Sequence, residues 1–286
     1  MVVRDRADAL AYLARLFGEM LPEGLDTRAY FGALIDRAGR FATEHRLFTI
    51  PEAPVSFVAI PDGMIHGGAV TNWPAPLLDR SRPGHVALAL SSSSHARAFS
   101  TGLAVHEATP GHYLQSAIWQ SQAAPDREPV RFVAVHDDVA GATSFFGAMP
   151  SIEGFAVHAE NVMRAAGFYD PDAEVASIGA AIIRDARAVV DLAIHDGRLS
   201  FEEAIAEMVR LCGMPASWCE TQVVRFLRIP LQATTYFVGE RRHARMFAAA
   251  REREGASLRV DHFHDALVAL GPASLTTLER RVRDRP

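Results

Sequence analysis

Apolar residues recur at helical spacing near the start of the chain and along most of its second half. Leu10, Leu13 and Phe17, followed by a similar run to residue 46, predict two helices separated by a turn at 22–24. Ser200 and Glu203 form a capping-box pattern that predicts a helix start. From residue 96 onward, the pattern predicts helices at 97–109, 112–120, 130–145, 151–166, 173–196, 200–212, 215–228, 231–254, 260–269 and 274–284.

Residues 50–95 interrupt this helical pattern with frequent proline and glycine. Short β-prone runs at 55–60 and 85–90 predict a sheet of two or three strands, ending in the serine loop 91–94. We therefore predict a mainly α fold with a small β-sheet or hairpin insert around residues 50–95. One domain is expected over 1–286, with a helical lead at 1–48 and a helical core at 96–286.

The amino-acid composition excludes several classes of function. The net charge of −5 gives no electrostatic footprint for nucleic acid. All 29 basic residues are arginine, which excludes a lysine Schiff base, pyridoxal phosphate attached through this chain, and a P-loop. Cys212 and Cys219 do not suggest a disulfide scaffold, and charges interrupt both the N-terminus and every apolar run of membrane-spanning length. We predict a cytoplasmic protein without a membrane segment.

The stretch VHEATPGHYLQ, residues 105–115, contains most of a zinc-binding H-E-x-x-H pattern. His106 and Glu107 are present, but position 110 is a proline and the next histidine is His112. On a straight helix, residues six apart point about 120° away from each other. Pro110 removes a helical hydrogen bond and Gly111 can adopt dihedrals closed to other residues, so we expect the helix to break at 109–111. Such a break can bring His112 back beside His106.

Catalytic zinc usually takes three protein ligands, so a third is required. Glu153 and Glu160, in SIEGFAVHAE, lie seven residues apart and share one face of a predicted helix. A carboxylate on this helix would complete a His-His-Glu set. The alternative is an ordinary pair of surface glutamates.

Several segments together resemble the bacterial domain-of-unknown-function 885 family, whose motif is typically written HEAxPGHHLQ and is accompanied by EGWALYAE. The similar segments are VHEATPGHYLQ, SIEGFAVHAE, DRSRPGHVALAL at 79–90, RAVVDLAIHDGRLSFEEAI at 187–205 and PLQATTYFVGE at 230–240. The resemblance implies a mostly helical, zinc-peptidase-like protein with one zinc ion per chain. It also implies His106, His112 and Glu153 as ligands, Glu107 as the catalytic glutamate, and Glu160 as a group that orients a ligand.

Three further residues match family segments. His195 and Tyr236 are candidates to stabilise an oxyanion, and Arg187 is a candidate to pair with a substrate carboxylate. Each has a structural alternative. Arg187 could pair with Asp191 on one helix face, His195 could serve a helix C-terminus, and Tyr236 could be a core aromatic.

The chain also departs from the family. Tyr113, Phe155, His158 and Phe237 replace typical residues around the site. Family members are usually longer, so we expect this chain to keep only the catalytic C-terminal half with a short helical lead. Apolar surface left exposed by the missing part would favour a homodimer.

The leading hypothesis is a zinc-dependent hydrolase that cleaves an amide or peptide bond with Glu107 as general base. The first alternative keeps zinc as a Lewis acid in a small-molecule pathway enzyme, for lyase, cyclisation or small amide cleavage chemistry. The second is a non-catalytic metal-binding module. The expected partner is a peptide or small-molecule substrate.

Overall fold

The computed structural model describes residues 4–51, 55–61, 70–75, 81–122 and 148–283, and the helix predicted at 130–145 lies outside them. Within these ranges the chain is mainly helical with one small sheet, as predicted. The described helices are α1 (Arg6–Gly18), α2 (Thr27–Glu44), α3 (Arg97–Leu103), α4 (His112–Gln122), α5 (Met149–Ala165), α6 (Pro171–His195), α7 (Phe201–Cys212), α8 (Ala216–Arg228), α9 (Thr234–Glu254), α10 (Val260–Val268) and α11 (Leu275–Arg283). None of these is long and apolar enough to cross a membrane.

Local sequence signals explain where several helices begin. The predicted capping box opens α7: Glu203 donates its backbone N–H to the hydroxyl of Ser200, and its carboxylate accepts the Ser200 backbone N–H. Asp26 caps α2 and Asp170 caps α6 by accepting backbone N–H groups of the first turn. The starts of α6 and α7 lie within two residues of the predicted ones.

The sheet has three strands, which are β1 (Ser56–Ala59), β2 (Val70–Trp73) and β3 (His85–Leu88). The strand order is β1-β3-β2, with β1 parallel and β2 antiparallel to β3. Strand β2 therefore lies at an edge of the described sheet, and one side of its backbone faces away from β3.

The segment between α3 and α4 lies between two hydrophobic clusters. Val105 belongs to a cluster built from α2, α5, α9, α10 and α11, whereas Ala104 and Ala108 belong to one built from α2 and the sheet. A third cluster joins α1, α6, α7 and α8. Because apolar residues of this segment are packed on both sides, the backbone that carries His106 is held from two directions.

Helices α5 and α9 cross at two glycines. A Cβ atom on Gly239 would lie 1.9 Å from the carbonyl oxygen of Pro150, and one on Gly154 would lie 2.3 Å from Gly239. Neither glycine can carry a side chain without moving a backbone. The close crossing brings Glu153 on α5 and Tyr236 on α9 to the same end of the helix pair.

Several large apolar side chains are exposed on α6, α8 and α9. They include Ile178, Val189 and Leu192 on α6, Leu227 on α8, and Val238 on α9. Exposed apolar side chains of this size are compatible with the predicted homodimer. The homodimer and the single-domain organisation stay predictions.

Candidate metal centre

The backbone breaks where the sequence predicts it. The helix expected at 97–109 is α-helical only to Leu103 and continues as a π-helical turn, Ala104–Ala108. Thr109 is extended, its peptide bond with Pro110 is cis, and α4 begins at His112. The π-helical turn was not predicted, because proline and glycine mark the end of a helix but not the winding of its last turn. Single π-helical turns occur often at functional sites.

Gly111 makes this tight turn possible. A Cβ atom at this position would lie 1.9 Å from the carbonyl oxygen of His106 and 2.4 Å from that of Val105. No side chain fits so close to two backbone oxygens. The turn therefore depends on glycine, and it returns the chain so that the rings of His106 and His112 have centroids 4.7 Å apart.

His106, His112 and Glu153 form a compact cluster. Glu153 Oε2 lies 3.5 Å from His106 Nε2 and 3.2 Å from His112 Nε2. One ligand atom from each residue lies within 4.8 Å of the other two. Two imidazole nitrogens and one carboxylate oxygen at this spacing are a donor set that zinc accepts.

The outer nitrogen of each imidazole has its own partner. His106 Nδ1 donates to Glu160 Oε1 at 2.6 Å, and His112 Nδ1 donates to the amide oxygen of Gln115 at 3.1 Å. Because each Nδ1 carries its hydrogen, the Nε2 of the neutral ring is free to bind a cation. Both rings are therefore oriented as metal ligands.

Glu160 is itself fixed by Arg184, whose two terminal nitrogens donate to the Glu160 carboxylate at 3.0 and 2.7 Å. Burial raises the pKa of Glu160, but the charge of Arg184 and the bond from His106 lower it to about 2. Burial lowers the pKa of His106, whereas hydrogen bonds to Glu153 and Glu160 raise it to about 9. The carboxylates around His106 thus favour a positive charge at this position.

Glu107 points into a pocket of about 380 Å³ that His112, Glu153 and Tyr236 also line. The backbone N–H of Asn72, on the edge strand β2, donates to Glu107 Oε2 at 2.9 Å. This bond, the one that the described residues give to the Glu107 carboxylate, holds the group beside the metal ligands. The edge of the sheet therefore forms one wall of the pocket.

Tyr236 also lines this pocket. Its ring is stacked on His106 with centroids 6.2 Å apart, and its hydroxyl accepts a hydrogen bond from Gln232 Nε2 at 3.1 Å. Burial, together with the charge of Glu153, raises the pKa of Tyr236 to about 12. The phenol is therefore a protonated hydrogen-bond donor at neutral pH.

The structure places Arg187 against the ring of Tyr236 and gives His195 another partner. The Arg187 guanidinium carbon lies 5.1 Å from the centre of the Tyr236 ring. His195 Nδ1 lies 2.8 Å from the carbonyl oxygen and 3.0 Å from a carboxylate oxygen of Asp191. In the part of the chain described, His195 is not among the residues that line the pocket. From their spacing, Arg187 and Asp191 were a possible ion pair. In the structure the Asp191 carboxylate instead contacts His195.

Sequence reasoning missed several residues that support the cluster, namely Asn72, Gln115, Arg184, Arg225 and Gln232. The spacing of Gln115 could have indicated its contact with the imidazole, since it follows His112 by one helical turn. Arg184 carries a weaker signal, as a charged residue within the apolar stretch SIGAAIIRDARAVV. Gln232 precedes Tyr236 by four residues, which is also a local signal, whereas Asn72 and Arg225 reach the site from other elements and have no such pattern.

The fold and this cluster define a mainly helical protein with a candidate metal centre between a π-helical turn and a helix. The chain belongs to the family described as "Bacterial protein of unknown function (DUF885)", which matches residues 8–282. The match covers nearly the whole chain, including most of the helical lead, so the expectation that this chain keeps only the catalytic C-terminal half of the family is not borne out. No curated protein matches the chain.

Two solved structures share the fold. One is described as "the putative lipoprotein from Colwellia psychrerythraea", with a TM-score of 0.74 and 24% identity over 97% of this chain and 46% of that chain. The other is "a putative lipoprotein of unknown function from Shewanella oneidensis", with a TM-score of 0.76 and 18% identity over 98% of this chain and 50% of that chain. The chain thus spans about half the length of these relatives. Its predicted cytoplasmic location stays a prediction.

Proposed function

We propose that the protein is a zinc-dependent hydrolase that cleaves an amide or peptide bond. The observation that carries this proposal is the convergence of His106 Nε2, His112 Nε2 and Glu153 Oε2 within 4.8 Å, beside the carboxylate of Glu107. Two histidines and one glutamate leave a coordination position free, as catalytic zinc sites do. A zinc ion held by these three side chains would supply the acidification of water and the polarisation of a carbonyl oxygen.

Glu107 is the proposed general base. Among the described residues Asn72 donates to Glu107 Oε2 and none donates to Oε1, which would take the proton that water loses as its oxygen attacks the carbonyl carbon. The same carboxyl group then gives that proton to the leaving nitrogen as the C–N bond breaks. The products are a carboxylic acid and an amine.

Tyr236 is the proposed donor to the developing oxyanion. Its hydroxyl accepts from Gln232, which leaves the phenolic hydrogen available to the substrate. A pKa of about 12 keeps that hydrogen in place throughout the neutral range. His195 receives no part in this mechanism, because it lies against Asp191.

Metal content and turnover together test the proposal. The wild-type protein is expected to hold one zinc ion by plasma mass spectrometry, and His106→Ala is expected to hold none. Glu107→Gln should keep the ion and lose activity by about 10²–10⁴-fold. Glu207→Gln, a change in an exposed pair with Arg210, is the control. Full activity of Glu107→Gln would show that the proposed mechanism is wrong.

A second candidate keeps the metal site but changes the substrate to a small molecule. The pocket volume of about 380 Å³ favours it, since cavities of this size hold compounds of drug-like dimensions. The ion would then assist a lyase, cyclisation or small amide cleavage step. Incubation with a peptide library and with a set of small amides separates the two candidates. Purified protein without stoichiometric metal would instead support a non-catalytic module.

A further inference from the structure

Arg187 and Arg225 are guanidinium groups near the candidate metal centre without a described carboxylate partner. Nε and Nη2 of Arg187, and Nε of Arg225, are buried and have no hydrogen-bond acceptor among the described residues. Arg184 is different, since it is paired with Glu160. Burying an unpaired charge is costly, and unsatisfied buried donors point to a ligand or ion that completes them.

Both groups lie near Tyr236, which lines the pocket. Arg225 lines the pocket together with Tyr236, and its Nη2 donates to the amide oxygen of Gln232 at 3.2 Å. Arg187 lies over the ring of Tyr236, which is also stacked on the imidazole of His106. Arg187 thus contacts Tyr236, which contacts the metal ligand His106. Arg225 contacts Gln232, which donates to the Tyr236 hydroxyl.

We propose that Arg187 and Arg225 form an anion subsite that binds a carboxylate group of the substrate. This inference rests on the proposed hydrolase and narrows its substrate to amides that carry a carboxylate near the scissile bond, such as a peptide C-terminus or an N-acyl amino acid. The planar fork of a guanidinium group matches the two oxygens of a carboxylate, which explains arginine with unused Nε and Nη donors at this position.

Binding to the metal-free protein tests the subsite, because without an ion the probe carboxylate cannot be held by the metal. The probes are N-acetyl-L-alanine, its uncharged amide and inorganic phosphate, titrated by calorimetry after treatment with a chelator. N-acetyl-L-alanine is expected to bind at least about tenfold more tightly than its amide, the ratio that a charge-assisted pair supplies. Phosphate is expected to bind more weakly than N-acetyl-L-alanine.

Arg187→Met and Arg225→Met should each remove most of this preference. Arg187→Met is also expected to melt at the same or a higher temperature than wild type, because it removes an unpaired buried charge. Arg187→Lys keeps the charge without the fork and should retain only part of the preference, which provides a second variant if the first folds poorly. Arg241→Met, at an exposed arginine stacked on Phe237, is the matched control and should keep the full ratio.

Equal binding of the acid and the amide by wild type would show that both guanidinium groups are satisfied within the chain, and would overturn the inference. Tighter binding of phosphate than of N-acetyl-L-alanine would overturn the assignment to a carboxylate. The proposed hydrolase fails separately. If the purified protein contains no zinc, the proposed hydrolase is wrong, but the preference for the acid can still be measured. If the protein contains zinc and shows no such preference, only the carboxylate subsite is wrong.

Discussion

The Nδ1 hydrogen of His106 is donated to Glu160 across 2.6 Å, and Arg184 holds the same carboxylate with two further hydrogen bonds. The three side chains come from the π-helical turn, α5 and α6. Their charges alternate, so the buried carboxylate is compensated and the imidazole cannot rotate without losing its partner. The orientation of the first metal ligand is thus set by a residue outside the ligand set.

Replacement of Glu160 by glutamine tests this relationship. The change should weaken zinc affinity by about 10–100-fold, because His106 loses its charged acceptor. It also leaves Arg184 without its carboxylate, which should lower the free energy of unfolding by about 3 kcal/mol or more. Competition with a chromophoric chelator measures the first effect, and urea denaturation of the metal-free protein measures the second.

Glu207→Gln is the control for this variant, since Glu207 belongs to an exposed pair with Arg210 and should change neither quantity appreciably. If Glu160→Gln bound zinc as tightly as wild type, Glu160 would have no role in orienting His106.

A methyl group at position 111 should damage the turn between the two histidines. Gly111→Ala places a Cβ atom 1.9 Å from the His106 carbonyl oxygen, so the backbone must move and His112 with it. We expect a loss of about 1–3 kcal/mol or more in unfolding free energy, together with weaker zinc binding.

Gly102→Ala is the matched control for that change. Gly102 lies within α3, where a Cβ atom meets nothing within 4 Å. The alanine there should stabilise the protein by about 0.5–1 kcal/mol through helix propensity. Equal effects of the two substitutions in thermal denaturation would contradict the requirement for glycine at position 111.

The sequence predicts most of the helices and the metal ligands, because both depend on local patterns. Helical periodicity predicts α5 and α6 within two residues of their ends, and Pro110 with Gly111 predicts the break that brings His112 beside His106. These features are properties of adjacent residues, and periodicity and proline chemistry report them directly.

The environment of the ligands could not be predicted in the same way. Asn72 donates from an edge strand, and Gln232 reaches Tyr236 from the turn before α9. The Asn72 contact depends on how distant elements pack, which no local pattern records, whereas Gln232 and Tyr236 are four residues apart and their spacing is a local signal. For His195 the local pattern was the better guide. Asp191, on the preceding turn of the same helix, contacts the imidazole, and His195 does not contribute to the described pocket.

A methyl group at the crossing of α5 and α9 should destabilise the protein as much as one at position 111. Gly239→Ala would place a Cβ atom 1.9 Å from the Pro150 carbonyl oxygen and 2.7 Å from Gly154 Cα. The helices must separate, so we expect a loss of about 1–3 kcal/mol or more in unfolding free energy. Because Glu153 and Tyr236 lie beside this crossing, zinc affinity should fall as well.

Gly18→Ala serves as its control, because Gly18 ends α1 with nothing within 4 Å of the added atom. Urea denaturation and a zinc titration of both variants measure the two effects. Wild-type stability in Gly239→Ala would mean that the helices do not approach as closely as these distances require.

Three buried histidines, His158, His243 and His264, should make the protein lose stability in mild acid. His264 Nδ1 donates to the carbonyl oxygen of Leu47 at 2.7 Å, so His264 Nε2 accepts from His158 Nε2 at 3.0 Å. Burial lowers the pKa of His243 and of His264 to about 4, and lowers that of His158 well below its usual range. All three are therefore neutral in the folded protein at pH 5.

In the unfolded chain these histidines titrate near pH 6.5, so below that pH the unfolded state binds more protons than the folded state. The contribution of the three histidines to the free energy of unfolding is then greatest above pH 6.5 and falls as the pH decreases toward 4, by up to about 3 kcal/mol for each histidine. His106 acts in another window. Its pKa of about 9 stabilises the metal-free protein below pH 6.5, and this contribution is lost as the pH rises toward 9.

Urea denaturation of chelator-treated protein at pH 5 and pH 6.5 isolates the buried histidines from zinc release. His243→Leu should reduce the difference between the two pH values by about a third, because one of the three groups is removed. His243 Nδ1 contacts the carbonyl oxygen of Gly239. The backbone N–H of residue 243 donates to the same oxygen within the helix, so the substitution leaves this carbonyl with a hydrogen bond. His45→Gln, at an exposed histidine, should leave the difference unchanged. Equal wild-type stability at the two pH values would mean that the three histidines are not held neutral by burial.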